Sequence, residues 1–301
     1  MKNLLFLLTV LSVCPLARAD QVFIDQFYDP AVNGPVIREF NPDGTSFIFA
    51  SSGLNAPNGL AFNNAGSLFV ANFGNNTIES FDSSGNPTLF TSTGLNQPQV
   101  LAFDNNNDLY VANNASGNAY IEKFDAQGNA SQFATGLYDP QGIACDNNGN
   151  VYVSTWINNQ TALAILKYTP GGQRSTFVTW DQPNTHVGIP RGLAFYNGNL
   201  YCTDGKSLDR ITLSGQFSVL STYNLTNSIG VALDSLGNAY VTDQNTGDVT
   251  EFNPANQGSV FASGYNTYGL TYVAIVPEPA TVGIFALGAI AVVHRRFQRR
   301  K

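Results

Sequence analysis

Residues 140–153 read PQGIACDNNGNVYV, and related stretches recur along the 301-residue chain. Two short apolar runs flank an Asp-Asn-Asn-Gly sequence, which predicts a strand, a tight turn and a second strand. Aligned on the residue that follows the Pro-Xaa pair, the copies begin at Gly59, Val100, Gly142, Gly192, Gly230 and Gly269. Their spacings are 41, 42, 50, 38 and 39 residues. A period near forty residues with four short strands per repeat is typical of the blades of a β-propeller.

The distribution of strands predicts how such a ring closes. In the copy at Val100 we predict four strands, at residues 100–103, 109–112, 120–124 and 130–134. Its second strand is apolar on both faces, as expected where a blade lies between two neighbours. The copy at Gly269 has one strand, 270–275, whereas the N-terminal residues supply three, at 22–27, 36–40 and 47–50. We therefore predict an all-β, six-bladed β-propeller of four-stranded blades over residues 22–276, in which one C-terminal strand pairs with three N-terminal strands and removes the free edges.

The repeat pattern resembles that of a known family. Residues 140–153, and in looser form residues 229–243, follow the pattern P-x-G-[IL]-A-x-D-x-x-G-N-x-Y-V-x-D, which resembles the NHL repeat and its relatives among bacterial propellers. The resemblance covers most of the body of the chain and implies the propeller fold. It implies no single activity, because that family scaffolds protein binding, RNA binding and several unrelated enzymes.

The first 19 residues have the features of a secretory signal peptide. Lys2 supplies the positive charge, residues 4–13 are apolar, and Ala17-Arg18-Ala19 is a small-residue cleavage site. We expect cleavage after Ala19, which leaves residues 20–276 as the propeller. A buried first helix is the alternative.

The last 25 residues, 277–301, have a different character from the repeats. A Val-Pro-Glu-Pro sequence precedes an apolar run at 282–293 and a basic end. The run is short for a membrane span, which needs roughly 20 apolar residues, so it predicts a stop-transfer hairpin or a tilted short helix with the basic end in the cytoplasm. This order resembles the PEP-CTERM sorting signal. The resemblance implies a Gram-negative-type envelope, recognition by an exosortase at Pro277, Glu278 and Pro279, and delivery to the cell surface or exopolysaccharide matrix; a plain membrane anchor is the alternative.

The body of the chain is strongly acidic. Between Asp20 and Val276 there are 20 acidic and 7 basic residues, a net charge of −13, compared with −7 for the whole chain. Such a body repels phosphate backbones, so we predict no nucleic-acid partner. Its two cysteines, Cys145 and Cys202, align with apolar positions of other repeats. Buried free thiols are therefore expected, with a mutual disulfide as the alternative because sequence does not supply its geometry.

The residue before each repeat start is expected to lie at the mouth of the central channel. These residues are Asn58, Gln99, Gln141, Arg191, Ile229 and Tyr268. Apart from the isoleucine they form a polar and mostly uncharged ring, which suits hydroxyl-rich ligands. The alternative is that they bond only to water and loop carbonyls.

The longest repeat carries two insertions on the same face, at residues 156–162 and 180–190. Long loops on a rigid scaffold often carry function. The second insertion contains Trp180, Asp181 and His186 and ends next to Arg191. An aromatic ring, a carboxylate and a guanidinium together favour saccharide binding, and a plain surface loop is the alternative.

Two classes of propeller enzyme resemble the chain in part. Streptogramin lyases use a catalytic histidine with metal-binding acids, but the body contains a single histidine, His186, which excludes a two-histidine mechanism. Gluconolactonase-type propellers depend on calcium or zinc and resemble residues 57–60, where Asn58 would match a metal ligand. At the comparable channel positions the chain has Arg191, Ile229 and Tyr268 instead of acids, and an arginine would repel a divalent ion.

The asparagine-rich runs at 104–108 and 146–150 place oxygen ligands at calcium-like spacing. They lack the final glutamate of an EF-hand loop and recur where a hairpin turn is required, which explains their composition without an ion.

Taken together, the sequence favours a non-enzymatic, exported propeller that binds carbohydrate or another envelope component and uses no cofactor. The alternative is a metal-dependent lactonase or hydrolase of the gluconolactonase type. The expected partners are an exosortase-type sorting enzyme, an exopolysaccharide or envelope protein, and the membrane through the C-terminal segment.

Overall fold

Twenty-three strands account for the regular structure of the described residues, and no helix lies among them. The structure is a computed structural model that describes residues 20–115, 117–157, 162–180, 188–265 and 270–276, with the side chains of residues 270 and 271 left out. The all-β prediction is confirmed for these ranges. The predicted signal peptide and the predicted apolar helix near the C-terminus lie outside them. Within the described ranges no helix has the length and apolar character that a membrane span requires.

The strands form four sheets of four strands and one sheet of seven. The first sheet has the order β23 (Leu270–Ile275), β1 (Val22–Asp29), β2 (Gly34–Phe40), β3 (Ser46–Ala50). The second contains β4 (Pro57–Phe62), β5 (Leu68–Asn72), β6 (Thr77–Phe81) and β7 (Pro87–Thr91). The seven-stranded sheet contains β8 (Pro98–Phe103), β9 (Leu109–Asn113), β10 (Ala119–Phe124), β11 (Ala130–Cys145), β12 (Val151–Ile157), β13 (Ala162–Tyr168) and β14 (Arg174–Thr179). The last two contain β15 (Leu193–Tyr196), β16 (Asn199–Thr203), β17 (Leu208–Thr212) and β18 (Phe217–Ser221), and β19 (Ser228–Leu233), β20 (Ala239–Asp243), β21 (Asp248–Phe252) and β22 (Gly258–Ala262).

Strand β11 differs from the prediction, which placed a break after residue 134. It runs for 16 residues, pairs with β10 over its first part and pairs with β12 over its last part. The two pairings meet where Leu137 lies opposite Ala119 and Tyr138 lies opposite Trp156. The connection stays extended because its backbone groups find partners: Thr155 Oγ1 accepts from the Tyr138 N–H at 3.2 Å and donates to its carbonyl at 2.6 Å. The seven-stranded sheet thus consists of two four-stranded halves that share β11.

The two ends of the described body meet in the first sheet, as predicted. Strand β23 pairs antiparallel with β1, with Val22 opposite Ile275 and Ile24 opposite Val273. The backbone N–H of Asp20 donates to the carbonyl of Val276 at 3.1 Å and extends this ladder by one step. One C-terminal strand therefore completes a sheet with three N-terminal strands.

The first strands of the four-stranded groups surround the centre of the molecule. They follow one another in the order β4, β8, β11, β15, β19 and β23, and β23 returns to β4. Their backbones approach so closely that a Cβ added to Gly142 would overlap the carbonyl oxygen of Arg191, which lies just before the neighbouring strand β15. The described residues form a closed, propeller-like ring of four-stranded sheets.

The core lies between the sheets. All residues of β5, β9 and β20 are buried, so these three second strands are covered on both faces, as predicted. Cys145 and Cys202 are free thiols, so the disulfide alternative is not realised; Cys202 is buried as expected, whereas Cys145 is only partly buried. Burial raises the pKa of both thiols, which makes them poor nucleophiles.

Candidate functional site at the mouth of the ring

A cavity of about 380 Å³ opens at one end of the central channel, and we call it the mouth cavity. Its lining includes Asn58, Gln99, Gln141, Arg191 and Ile229, which are five of the six predicted ring residues. They lie on five successive inner strands or just before them, which is why residues distant in sequence meet here. The structure thus brings these five together, while their role as ligand contacts stays a prediction.

Proline sets the point at which three of these inner strands enter the ring. Pro57 and Pro98 are the first residues of β4 and β8, and Pro140 precedes the inner part of β11. Because proline has no N–H to offer a ladder, it is suited to such starting positions. The residue before it has a left-handed backbone, with φ of 47° at Ala56 and 46° at Asp139. This turn delivers the residue after the proline to the mouth cavity.

The sixth position of the ring belongs to β23, in an alignment that differs from the predicted one. A Cβ added to Gly192 would lie 3.0 Å from the Cα of Gly230, and one added to Gly230 would lie 2.9 Å from the Cα of Tyr272. Tyr272 therefore occupies the position that glycine has in these neighbours, and the predicted repeat start at Gly269 is wrong by three residues. The predicted ring member Tyr268 lies outside the described residues.

Tyr272 closes the channel below the mouth cavity. Its hydroxyl donates a hydrogen bond of 2.7 Å to the backbone carbonyl of Gln141. Two inner strands separate β23 from β11 on either side of the ring, so the phenol spans the channel. Burial and the nearby Asp25 carboxylate raise the pKa of Tyr272, so the phenol stays neutral and can donate. A smaller cavity of about 50 Å³ lies along the inner strands beside it.

Arg191 is held in place by neighbouring polar groups. Its Nη1 atom donates to Asn227 Oδ1 at 2.7 Å, and its backbone N–H donates to the carbonyl of Thr203 at 2.7 Å. The backbone N–H of Asn227 in turn donates to Asp243 Oδ2 at 2.8 Å. No ion pair links Arg191 to any carboxylate of the described residues. The guanidinium therefore lines the mouth cavity as a cation that no described carboxylate neutralises, held by its bond to Asn227.

Gln99 lines the mouth cavity, and its side chain carries an unsatisfied acceptor that is closed to solvent. The side chain is 9% exposed, and its Oε1 atom is buried without a hydrogen-bond partner among the described residues. Leaving such an oxygen unpaired costs about 1–3 kcal/mol. Asn58 and Gln141 flank it in the same lining and are partly exposed. A ligand hydroxyl can reach this oxygen and remove the cost only when the Gln99 amide rotates toward the cavity.

Three further lining residues were not predicted from the sequence. Phe27 belongs to β1 and is 52% exposed, and Phe73 directly follows β5. Gln244 follows β20, and its Oε1 atom accepts from Asn227 Nδ2 at 3.3 Å. The cavity therefore combines amide groups, one cation and exposed aromatic surface.

Asp25 is a buried carboxylate next to the ring, and it joins two inner strands. Its Oδ2 atom accepts the Gly59 N–H at 3.0 Å and its Oδ1 atom accepts the Tyr272 N–H at 2.7 Å. Ser154 on β12 and Thr203 on β16 make comparable bonds from the second strands of their sheets. Ser154 Oγ donates to the carbonyl of Arg191, and Thr203 Oγ1 accepts the N–H of Gly192. Asp25 does not line the mouth cavity. Within the described ranges no group of three or more His, Cys, Asp or Glu side chains could hold a metal ion.

The placement of Trp180 does not support its predicted contact with ligand. The side chain is 5% exposed and packs edge-to-face on Phe217, with ring centroids 5.4 Å apart. It belongs to the core between β13 and β16 because its large apolar ring gains more from burial than from exposure on a loop. Asp181 and His186 lie outside the described residues.

The asparagine-rich turns are explained by hydrogen bonding within the hairpin. Asp146 Oδ1 accepts the backbone N–H groups of Asn148 and Asn150, each at 2.9 Å, and Oδ2 accepts from Asn150 Nδ2 at 2.8 Å and from the Tyr152 hydroxyl at 3.1 Å. Asp104 makes the same backbone contacts in its own turn. These oxygens serve to fix the turn.

Residues 276–300 match the family described as the PEP-CTERM protein-sorting motif. The chain carries a PEP-CTERM sorting motif. This finding agrees with the resemblance seen at Pro277, Glu278 and Pro279, which lie outside the described residues. The motif implies an exported protein that is recognised by an exosortase.

Solved structures share the fold of the body. A chain of a nidogen–laminin complex is 20% identical with a TM-score of 0.72, and the match covers 86% of this chain and 98% of that one. A gluconolactonase from Xanthomonas campestris is 17% identical with a TM-score of 0.59, covering 75% and 84%. A streptogramin B lyase is 18% identical with a TM-score of 0.56, covering 82% and 75%. At these identities the similarity establishes the propeller fold alone, and no match to a curated protein was found.

Proposed function

We propose that the protein is an exported, six-bladed propeller that binds carbohydrate or another envelope component at the mouth cavity and performs no catalysis. The six blades are supported by the closed order of six inner strands and by the two pairings of β11. Export and sorting follow from residues 1–19 as a signal peptide and from the PEP-CTERM motif at 276–300. We place the protein at the outer surface or in the extracellular matrix of a Gram-negative-type bacterium.

The observation that carries the binding proposal is the set of amide side chains that line the mouth cavity, those of Asn58, Gln99, Gln141 and Gln244. Amide side chains both donate and accept, which matches sugar hydroxyls that do the same. The exposed ring of Phe27 adds an apolar surface for the C–H face of a sugar. The lactonase alternative gains no support from this lining, because Arg191 is the one charged group among its described residues and would oppose a divalent cation.

A glycan array probed with the full chain tests the proposal. We expect binding that is weakened about tenfold by Gln99→Leu, since the ligand then loses a hydrogen bond to the amide. Gln127→Leu makes the same chemical change on an exposed turn between β10 and β11, away from the mouth, and should leave binding intact. An array without signal, or equal loss in both variants, would contradict the proposed site.

The sorting proposal has its own test. Deletion of residues 277–301 should release the protein from the envelope fraction into the medium, as judged by cell fractionation. Replacing only the basic residues after the apolar run should give a weaker effect, because the exosortase recognition residues remain. Unchanged retention of the deletion variant would contradict a sorting role for this segment.

A further inference from the structure

The described lining of the mouth cavity contains one charged side chain, Arg191. Asn227 fixes one of its nitrogens, and no ion pair neutralises the rest of the guanidinium within the described ranges. The cation is only partly exposed and stands in a body of net charge −13. A guanidinium fits a carboxylate through two parallel hydrogen bonds, so a carboxylate is the anion that this group favours.

The amide oxygen of Gln99, once turned into the cavity, requires a different partner. A carboxylate has no hydrogen to donate, whereas a hydroxyl has. Asn58 and Gln141, in the same lining, offer further amide donors and acceptors. The cavity therefore fits a ligand in which several hydroxyl groups lie beside a carboxylate.

The shape of the cavity limits how much of a ligand can enter. Tyr272 and its hydrogen bond to Gln141 close the channel, so a polymer cannot pass through the ring. The volume of about 380 Å³ is near the lower end of the range for small-molecule sites, roughly 300–1,000 Å³. A polymer with a carboxylate on every unit would also meet the repulsion of the acidic body. These features favour one anionic unit over a polyanion.

We infer that the mouth cavity binds a single carboxylated sugar, either free or at the end of a chain. Its carboxylate pairs with Arg191, a hydroxyl bonds to the Gln99 amide, and its C–H face packs on the exposed ring of Phe27. This inference rests on the proposed saccharide-binding function and specifies the class of sugar.

Calorimetric titration of the full chain in mild detergent, with glucuronate and with glucose, tests the inference. The two sugars differ in the carboxylate, so glucuronate should bind at least about tenfold more tightly. Arg191→Gln should abolish this preference and leave glucose binding nearly unchanged. Arg174→Gln removes the same charge from an exposed position on β14 and should preserve the preference. Arg191→Lys keeps the charge without the planar fork and should give an intermediate preference, which maintains the test if the glutamine variant does not fold.

The outcomes separate this inference from the function on which it rests. Equal affinity for glucose and glucuronate, or a preference that survives Arg191→Gln, would overturn the inference alone. Absence of binding by either sugar, together with a silent glycan array, would overturn both. Competition by acetate as strong as that by glucuronate would reveal a carboxylate site without sugar recognition and would also overturn it. Finally, a uronate-terminated oligosaccharide should bind as well as the free sugar, and tighter binding by a polymer of internal uronates would overturn the restriction to a single unit.

Discussion

Replacing Asp209 by asparagine should stabilise the protein, and the stabilisation should increase with pH. Asp209 lies on β17 with 0% exposure, accepts from the Ser207 hydroxyl at 2.8 Å, and has an Oδ2 atom without a partner among the described residues. Burial and the nearby Asp204 carboxylate raise its pKa to about 8. In the unfolded chain the pKa is about 3.9. Between these values the folded protein holds a proton that the unfolded chain has lost, so the free energy of unfolding decreases as pH rises.

The magnitude follows from the same two pKa values. The slope approaches about 1.4 kcal/mol per pH unit, and about four units of difference give a total on the order of 5 kcal/mol. Asparagine does not titrate and has the shape of the protonated acid. The free energy of unfolding of the variant should therefore exceed that of the natural protein by a difference that grows by about 1.4 kcal/mol per pH unit between about pH 5 and pH 7.5. This difference should level off above about pH 8.

Urea unfolding of both proteins across this pH range measures the difference. Asp82→Asn is the control, because its carboxylate is exposed and hydrogen bonds from Asn86 hold its pKa below the ordinary value. The contribution of Asp82 is present above the unfolded pKa and is lost only in acid, so its variant should show a constant difference over the range. A constant difference for Asp209→Asn as well would refute the reasoning.

Three shorter predictions concern the ring and its core. Tyr272→Phe removes the hydrogen bond across the channel and should lower the free energy of unfolding by about 1–3 kcal/mol in urea titrations; an unchanged midpoint would contradict the role of the hydroxyl. Trp180→Ala should cost about 3–5 kcal/mol of stability through the cavity it leaves, while saccharide affinity measured by calorimetry on the folded fraction stays the same; lost affinity at unchanged stability would restore the predicted ligand contact. Gly142→Ala should destabilise by about 1–3 kcal/mol, since its Cβ would meet the carbonyl of Arg191, whereas Gly34→Ala on β2 has room and serves as the matched control.

Most of the architecture is encoded in local patterns. The Asp-Asn-Asn-Gly turns at 146–149 and the continuous apolar second strands predict the hairpins and the double burial that the structure has. The pairing of β23 with β1 could be predicted because strands were missing at one end of the chain and present at the other. The continuous β11 could not, because Gly136 and Pro140 read as a loop in sequence. Hydrogen bonds from Thr155, on the adjacent strand, keep that segment extended.

The candidate site was predictable in part for a physical reason. Asn58, Gln99 and Gln141 hold a fixed place relative to the proline that starts an inner strand, so a repeat alignment finds them. Tyr272 was missed because the repeats were aligned on glycine, and Gly269 offered one. Tyr272-Val273-Ala274 nevertheless matches the Gly-Leu-Ala pattern at a spacing of 42 residues from Gly230. Phe27 was assigned to a strand, and nothing in an apolar strand residue signals that its ring is half exposed. Trp180 is the opposite case, because an aromatic residue predicted to contact ligand is buried in the core.

The position of Tyr272 also relates the site to the sorting segment. An inner strand starts at the mouth and runs toward the opposite face, so β23 carries Tyr272 near the mouth and ends with Val276 on the far face. The backbone of Asp20 meets Val276 there, and its side chain accepts the backbone N–H of Ser235 at 2.9 Å in a turn of that face. Both ends of the described body thus leave from the side opposite the mouth cavity. The body therefore joins the sorting segment at Val276, on the side opposite the mouth cavity. Because the same strand closes the ring and supplies the floor of the cavity, the site is complete only when the two ends have paired.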